Sequence, residues 1–436
     1  MPWWSVSDVR VSCDSVAAKG AATRNGKTLF AKNSDRPAGE CQPLLRVPAK
    51  DHEAGRALRC QYIEIPHVAH THAFLGARPY WLWGLEHGVN EHGVAIGNHT
   101  IFTRDPVADT GLLGMDLVRL GLERAASAAQ AVDVITALIE RHGQGGSGYV
   151  DTVWPYHNSF LIADPGAVLL LEASAGHWAV REAASAASAS NHTTIGTDWT
   201  RLSSACERHA RDNGWWTGET RFDFAAAYRD TSVIPPVISS GRYGATCAAL
   251  AEYSGRLDLG ALRRLMRDHG ASGEIHKPGY APDDERYYSV CMHADPVGTT
   301  TASMMVELEE GGPGPVWIAF CNPCVSPYLP VFLDGELPAD MERGGGGPSS
   351  GGAWWRFKEL LGLAEADWSR SGLLLRDAWR AFEAEALEAC TVHATTHQAA
   401  SAAERVRANT AFMRDTWRQC VSRLDDLTAR LRSSLS

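Results

Sequence analysis

Two short runs of β-favouring residues open the readable pattern, Cys13–Ala18 and Thr28–Lys32, with Asn25-Gly26 between them as a turn that tolerates positive φ. They predict a hairpin whose first strand starts at Cys13. Further strand-like runs fall at Leu58–Ile65, Val94–Asn98, Ser159–Ala163, Val168–Glu172 and Trp178–Glu182. The turns at Asp164-Pro165-Gly166 and Gly176 join the last three into an antiparallel meander. Between the strand groups, Leu112–Arg124 and Ser127–Arg141 carry apolar residues at helical spacing, with Ser127 as N-cap and Gly143 as C-terminal stop. A second mixed region predicts helices at Phe222–Tyr228, Ala245–Tyr253 and Asp258–His269, then strands at Ser289–Met292, Thr301–Leu308 and Val316–Phe320. Helices and strands alternate in blocks and not as βαβ units, which favours an α+β fold of layered antiparallel sheets.

The pattern changes after Asp334. Residues 335–352, ending in the run Arg343–Gly352 with its six glycines in ten positions, have the composition of a flexible linker and predict a boundary there. Beyond it, Trp355–Leu361, Asp367–Cys390 and Gln398–Leu431 read as amphipathic helices, the last two as an antiparallel pair. Trp354, Trp355, Trp368, Trp379 and Trp417 are expected to pack on the main body or on a second subunit, so a homodimer is the assembly these helices suggest.

Composition narrows the function classes. Of 436 residues 44% are hydrophobic and 21% charged, as in folded globular chains. The formal net charge of -10, with no Lys/Arg block, argues against nucleic acid as a partner. Asp8 and Arg10 interrupt the N-terminal run, and no stretch reaches the roughly 18 apolar residues of a spanning helix, so neither a secretory signal nor a membrane anchor is expected. Ten scattered cysteines fit free thiols in a reducing compartment, and the cytoplasm is the expected location.

Candidate chemistry begins at Cys13, because in a hairpin it meets the polar cluster Lys32-Asn33-Ser34-Asp35 at the far end of the partner strand. A thiol beside a cation and a carboxylate is how a cysteine nucleophile is activated. The same spacing also fits a packed strand cysteine next to a surface ion pair. His67, His70 and His72 offer three imidazoles to a metal, but no carboxylate is interleaved and on a strand His67 faces away from the other two, so no metal site is expected there. Cys321-Asn322-Pro323-Cys324 has CxxC spacing without a second pair, and packing cysteines are expected. Gly143-Gln144-Gly145-Gly146 follows a helix and lacks the Lys-Ser/Thr of a P-loop. Glu86, His87, Glu91 and His92 flank a glycine turn and read as surface polar residues.

Several longer blocks go further. CDSVAA, LFAKNSDRPAGE, YWLWGLEHGVNEHGVAIGNHT, LLGMDLVRLGLERA, RHGQGG, NSFLIAD, VLLLEASAGHWAV, GWWTGE, SVCMHAD and CNPCVSPYLPVF together resemble the secernins and their bacterial dipeptidase A relatives, over residues 13 to about 334. The resemblance implies an N-terminal nucleophile hydrolase, distantly akin to penicillin V acylase and bile-salt hydrolase, with an αββα sandwich of two antiparallel sheets. It implies that residues 1–12 are a propeptide cleaved before Cys13, whose freed α-amine then serves as the base. An α-amine with a pKa of about 7.7–8.0 can accept and return a proton near neutral pH.

Carried over residue by residue, Cys13 resembles the nucleophile and Asp35 the carboxylate that holds the amine. Lys32 stands where the acylases carry arginine, keeping charge and losing the planar fork. Asn98 and Asn191 resemble side chains near the oxyanion and the amine, and Arg242 falls where the acylases have a further active-site arginine. Cys291, His293, Thr300 and Thr301 lie on a family-like strand and are expected to pack beside the pocket. The implied reaction is hydrolysis of an amide bond in a dipeptide or small N-acyl amide through a Cys13 thioester, with no cofactor and no metal. A tailoring amidase or acyltransferase for one metabolite, a catalytically silent scaffold using its C-terminal helices, and a zinc hydrolase built on His67, His70 and His72 are the competing readings.

Overall fold

The computed structural model describes residues 12–53, 55–233, 236–270, 285–295 and 297–435. The expected propeptide therefore lies outside the described residues, apart from Ser12. Two antiparallel sheets face one another. In one, strands run in the order Ala186–Ala189, Ser12–Gly20, Gly26–Arg36, Gly298–Glu309, Gly312–Phe320 and Leu329–Val331, with His293–Ala294 paired to the fourth. The other runs Arg201–Leu202, His177–Glu182, Val168–Ser174, His157–Ala163, Ala95–Ile101, His87–Asn90, Phe74–Ala77 and Leu44–Val47. Helices Gly114–Arg124 and Ala128–His142 cover the outer face of the second sheet. Helices Val237–Glu252 and Leu259–Met266 cover that of the first. This is the expected α+β sandwich between helix layers.

The hairpin forms where the pattern placed it. Gly26 takes φ 78° at the turn, and Cys13 pairs with Ser34, Asp14 with Asn33 and Ser15 with Lys32. Cross-strand partners share a face, so Cys13, Ser15, Lys32 and Ser34 point between the sheets. Asp14, Asn33 and Asp35 point toward the helices. Strand Gly26–Arg36 is buried continuously from Thr28 onward because both its faces are covered. Ser127 caps its helix by accepting from Gln130 N–H at 3.2 Å, and Gly143 ends it at φ 72°.

Three elements differ from the pattern. Leu58–Ile65 is not one strand: Ala57–Arg59 and Glu64–Pro66 pair with each other as a small ribbon. The helix expected at Ala245–Tyr253 starts two turns earlier, at Val237, since a buried Arg242 and the polar Ser239, Ser240 and Thr246 hide its apolar face. Ser289–Met292 is irregular, with the strand beginning at His293.

Within the segment 335–352, Gly335, Gly344, Gly345, Gly346 and Gly352 stand where a Cβ would meet a neighbour within 3 Å. Trp355 Nε1 donates to Gly345 O at 3.1 Å, and a Cβ on Gly352, at φ 96°, would fall 2.1 Å from Arg343 O. Helices Ala353–Ala366, Trp368–Thr396 and Ala402–Leu435 follow. Their Trp354, Phe357, Trp379, Phe382 and Trp417 join one hydrophobic cluster with Trp317, Phe320 and Leu329 of the first sheet. Trp354, Trp379 and Trp417, on which the homodimer expectation leaned, are thus used within the chain.

Candidate active site

Where the hairpin ends meet, Lys32 Nζ lies 3.4 Å from Cys13 Sγ and 3.3 Å from Glu86 Oε2, and that carboxylate oxygen is 4.0 Å from the same sulfur. Lys32 is fully buried. Its stem crosses Gly97 of the facing sheet, where a Cβ would come within 2.5 Å of Lys32 Cδ. The absence of a side chain at Gly97 is what lets the ammonium reach the thiol. Arg36 approaches the other oxygen of Glu86 at 3.5 Å, holds Glu40 at 2.6 Å, and lies 4.5 Å from the Tyr149 ring centroid. Two cations and two carboxylates thus neutralise one another out of water, the condition for burying charge at all.

On the helix side of the same strands, Arg242 pairs with the Asp14 carboxylate, lies 3.8 Å from Asp35 Oδ2, and donates to Asn191 Oδ1 at 2.7 Å. That Asn191 oxygen also accepts the Cys13 peptide N–H at 2.8 Å, while Asn191 Nδ2 donates to Thr100 O at 3.0 Å. Thr300 Oγ1 donates to Asp35 Oδ1 at 2.6 Å. The Asn98 amide satisfies both its ends with its NH₂ toward Glu86, 3.2 Å from Oε2 and 2.9 Å from the backbone oxygen. Cys13, Asp35, Arg36, Glu86, Asn98, Thr100, Tyr149 and Tyr156 line a narrow, closely packed recess. Burial pushes the Cys13 thiol up to about 11, with Lys32 pulling against it and Glu86 and Asp35 adding to the rise.

The structure brings all six candidate residues, Cys13, Lys32, Asp35, Asn98, Asn191 and Arg242, into one buried network. Arg242 is wholly buried, not a surface arginine. Glu86 and His87, read as surface polar residues, are also buried. Glu86 is the centre of the network, because Lys32 and Arg36 on the facing sheet need a counter-charge. The one sequence signal was its place inside the largely apolar run WLWGLEHGV. Arg36 and Asp14 were likewise missed, whereas Thr300, expected beside the pocket, does lie against Asp35. Sequence distance hides pairs that form between layers.

Other candidates lie elsewhere. His67 stacks on His52 at 3.9 Å, whereas His70 bonds Asp51 at 2.7 Å and His72 meets His92 at 3.0 Å. His70 and His72 share an outer surface with Glu91, so a carboxylate does come near, from a distant turn. Cys291 and His293 sit apart from the recess together with Cys324, in a cluster with His269.

Residues 22–213 match the family model described as acyl-coenzyme A:6-aminopenicillanic acid acyl-transferase. Cys13 precedes the matched segment. Over 205 residues the chain is 25% identical to the probable dipeptidase A of Streptococcus pyogenes serotype M1, a stretch covering 43% of this chain and 41% of that protein. The chain thus spans about two fifths of the length of that curated relative. Among solved structures it is similar to penicillin V acylase from Agrobacterium tumefaciens, with 13% identity and a TM-score of 0.41 over 73% of this chain and 86% of that one. A mutant of conjugated bile acid hydrolase from Clostridium perfringens gives 11% identity and a TM-score of 0.40 over 71% and 89%.

Proposed function

We propose that the chain is an N-terminal nucleophile hydrolase, a reading its family match over residues 22–213 and its dipeptidase A relative support, and that Cys13 is the nucleophile of an amide-cleaving enzyme acting on dipeptides or small N-acyl amides. The observation that carries this reading is the pairing at one residue of Lys32 Nζ with the Cys13 thiol and of Asn191 Oδ1 with the Cys13 peptide nitrogen. Cleavage between Ser12 and Cys13 turns that nitrogen into a primary amine already held by an acceptor, within reach of its own thiol.

In the cleavage step Cys13 Sγ attacks the Ser12 carbonyl carbon, the C–N bond breaks, and the Cys13 nitrogen takes up the proton that the thiol gives up. Water then hydrolyses the thioester and releases residues 1–12. In turnover the α-amine takes the thiol proton, the thiolate adds to the substrate carbonyl, and the leaving amine recovers that proton as the C–N bond breaks. Water resolves the acyl thioester. Asn191 orients the amine, and Arg242 keeps Asn191 and the carboxylates of Asp14 and Asp35 in place. Lys32 favours thiolate over thiol, and the Asn98 NH₂, by turning one N–H from Glu86 Oε2 to the developing oxyanion, supplies a donor beside the recess.

The test is the intact mass and N-terminal sequence of the purified chain, followed by hydrolysis assays on dipeptides and N-acyl amides. A chain beginning at Cys13 that hydrolyses amides, and a Cys13→Ala chain that keeps residues 1–12 and does neither, are expected. Hydrolysis of equal rate by the Cys13→Ala chain would overturn the reading.

A further inference from the structure

A second cluster of reactive side chains lies outside the recess. His269 follows helix Leu259–Met266, Cys291 and His293 lead into strand Gly298–Glu309, and Cys324 sits in the turn after strand Gly312–Phe320. One ligand atom from each lies within 4.8 Å of all the others. His293 Nε2 is 3.3 Å from Cys324 Sγ and 3.8 Å from Cys291 Sγ. A tetrahedral zinc with Zn–S of about 2.3 Å and Zn–N of about 2.0–2.1 Å sets sulfur–nitrogen edges of roughly 3.5 Å, so these separations are those of a ligand shell.

The surroundings fit the same purpose. His293 Nδ1 meets Glu365 Oε1 at 2.9 Å, which fixes the proton on Nδ1 and turns the Nε2 lone pair toward the two sulfurs. Asn322 Nδ2, 3.2 Å from that Nε2, also donates to Met292 O at 2.7 Å and retains that partner when Nε2 is taken. His269 is buried, and its Nε2 has no hydrogen-bond partner among the described residues. An imidazole nitrogen buried without a partner is costly unless something binds it. Cys321, the other cysteine of the CxxC, is excluded: its sulfur faces Trp354 O at 3.4 Å. The ligand pattern is therefore Cys-x-His at 291–293 joined to Cys324 and His269, invisible as a local motif.

We propose that His269, Cys291, His293 and Cys324 bind one Zn²⁺ ion. Two sulfurs and two imidazole nitrogens select a soft-accepting, tetrahedral ion, and four protein ligands leave no position for water. The site is structural. Binding forms two Zn–S and two Zn–N bonds and releases the two thiol protons to solvent. Through Glu365 on helix Ala353–Ala366, it ties the C-terminal helices to the strands that carry Thr300 and Asp35.

The experiment is elemental analysis of the full chain expressed in zinc-supplemented medium and purified under reducing conditions without chelator. It is joined by the visible spectrum of the same chain after exchange with Co²⁺. One zinc per chain, and a tetrahedral cobalt spectrum with a thiolate-to-metal charge-transfer band, are expected. Zinc should fall below a tenth per chain in the Cys291→Ser/Cys324→Ser variant, stay at one in Cys13→Ser, and bind about 10–100-fold more weakly in Glu365→Gln. The proposal is overturned by a reduced chain that takes up no stoichiometric zinc, or by cobalt bands without thiolate character. Zinc that persists in the double variant, held for instance by His70, His72 and Glu91, overturns it too. Should the double variant not fold, the cobalt spectrum of the unaltered chain decides alone.

Discussion

The ammonium of Lys32 is shared between the Cys13 thiol, 3.4 Å away, and the Glu86 carboxylate, 3.3 Å away, and all three residues are buried. Two unit charges about 4 Å apart interact by about 4 kcal/mol at an effective dielectric of about 20. Replacing Lys32 with Met removes that pull on the thiolate and leaves Glu86 with Arg36 alone. The expected outcome for Lys32→Met is a fall of about 100-fold in kcat/KM, well inside that limit, together with slower removal of residues 1–12. Steady-state kinetics and timed intact-mass spectra would read both, and wild-type rates in the variant would show that the cation has no part in activation.

Gly97 makes the same contact testable without touching a charged group. A Cβ there would press to 2.5 Å from Lys32 Cδ, in the middle of a buried stem and not at a free end. Gly97→Ala should cost about 1–3 kcal/mol of stability as an overpacking change, and should move the ammonium off the sulfur. Thermal unfolding and kcat are the paired measurements. A variant destabilised in this range yet fully active would mean that Lys32 supports the fold only.

Cys13 gives a pH dependence with a definite sign. Only thiolate alkylates, and in the uncleaved chain burial holds the thiol up to about 11. At pH 8, three units below that value, about one thiol in a thousand is reactive, so the alkylation rate should climb about tenfold per pH unit up to about 11. Once Cys13 carries a free α-amine, a second inflection near that amine's pKa of about 7.7–8.0 is expected. Peptide mapping after timed iodoacetamide labelling from pH 6 to 11 would show it. An uncleaved Cys13 with an inflection below 9 would contradict the account.

What the sequence displayed and what it concealed divide along a physical line. Features whose cause lies within a few residues were legible: the Asn25-Gly26 turn, the Ser127 cap, the Gly143 stop, and the hairpin that brings Cys13 opposite the Lys32–Asp35 cluster. Features caused by facing layers were not. Glu86 was taken for a surface residue because nothing near it in the chain is cationic, while its partners Lys32 and Arg36 reach it from the other sheet. Cys291, His293 and Cys324 were read as packing residues because the CxxC directed attention to Cys321 and Cys324. Cys324 in fact joins His293, from the strand segment next to it. The glycines of 335–352 have a linker's composition, yet Gly352 is there because Arg343 O leaves room for nothing larger.

The C-terminal helices offer the sharpest test of how the chain is divided. Glu383, on helix Trp368–Thr396, is almost wholly buried, accepts from Arg267 at 2.6 Å and from the Tyr328 N–H at 2.7 Å, and lies 3.3 Å from Arg263 Nη1 as an ion pair. All three partners belong to the sandwich side of the contact. Glu383→Ala would leave two guanidinium groups beside an empty site, and losing one partner of a buried ionic cluster costs about 3–5 kcal/mol. Trp379→Ala, which removes a buried ring and its hydrogen bond to Val325 O at 2.8 Å, should cost about as much. Because these helices share a hydrophobic cluster with Trp317 and Phe320, both variants should unfold in one transition shifted as a whole. In urea melts, tryptophan fluorescence and Cys13 alkylation should then move together. A chain ending at Asp334 should be insoluble, having lost the side chains that cover the first sheet. Two separated transitions, or a soluble folded chain ending at Asp334, would show instead that the boundary suggested by the glycine-rich run divides independent units.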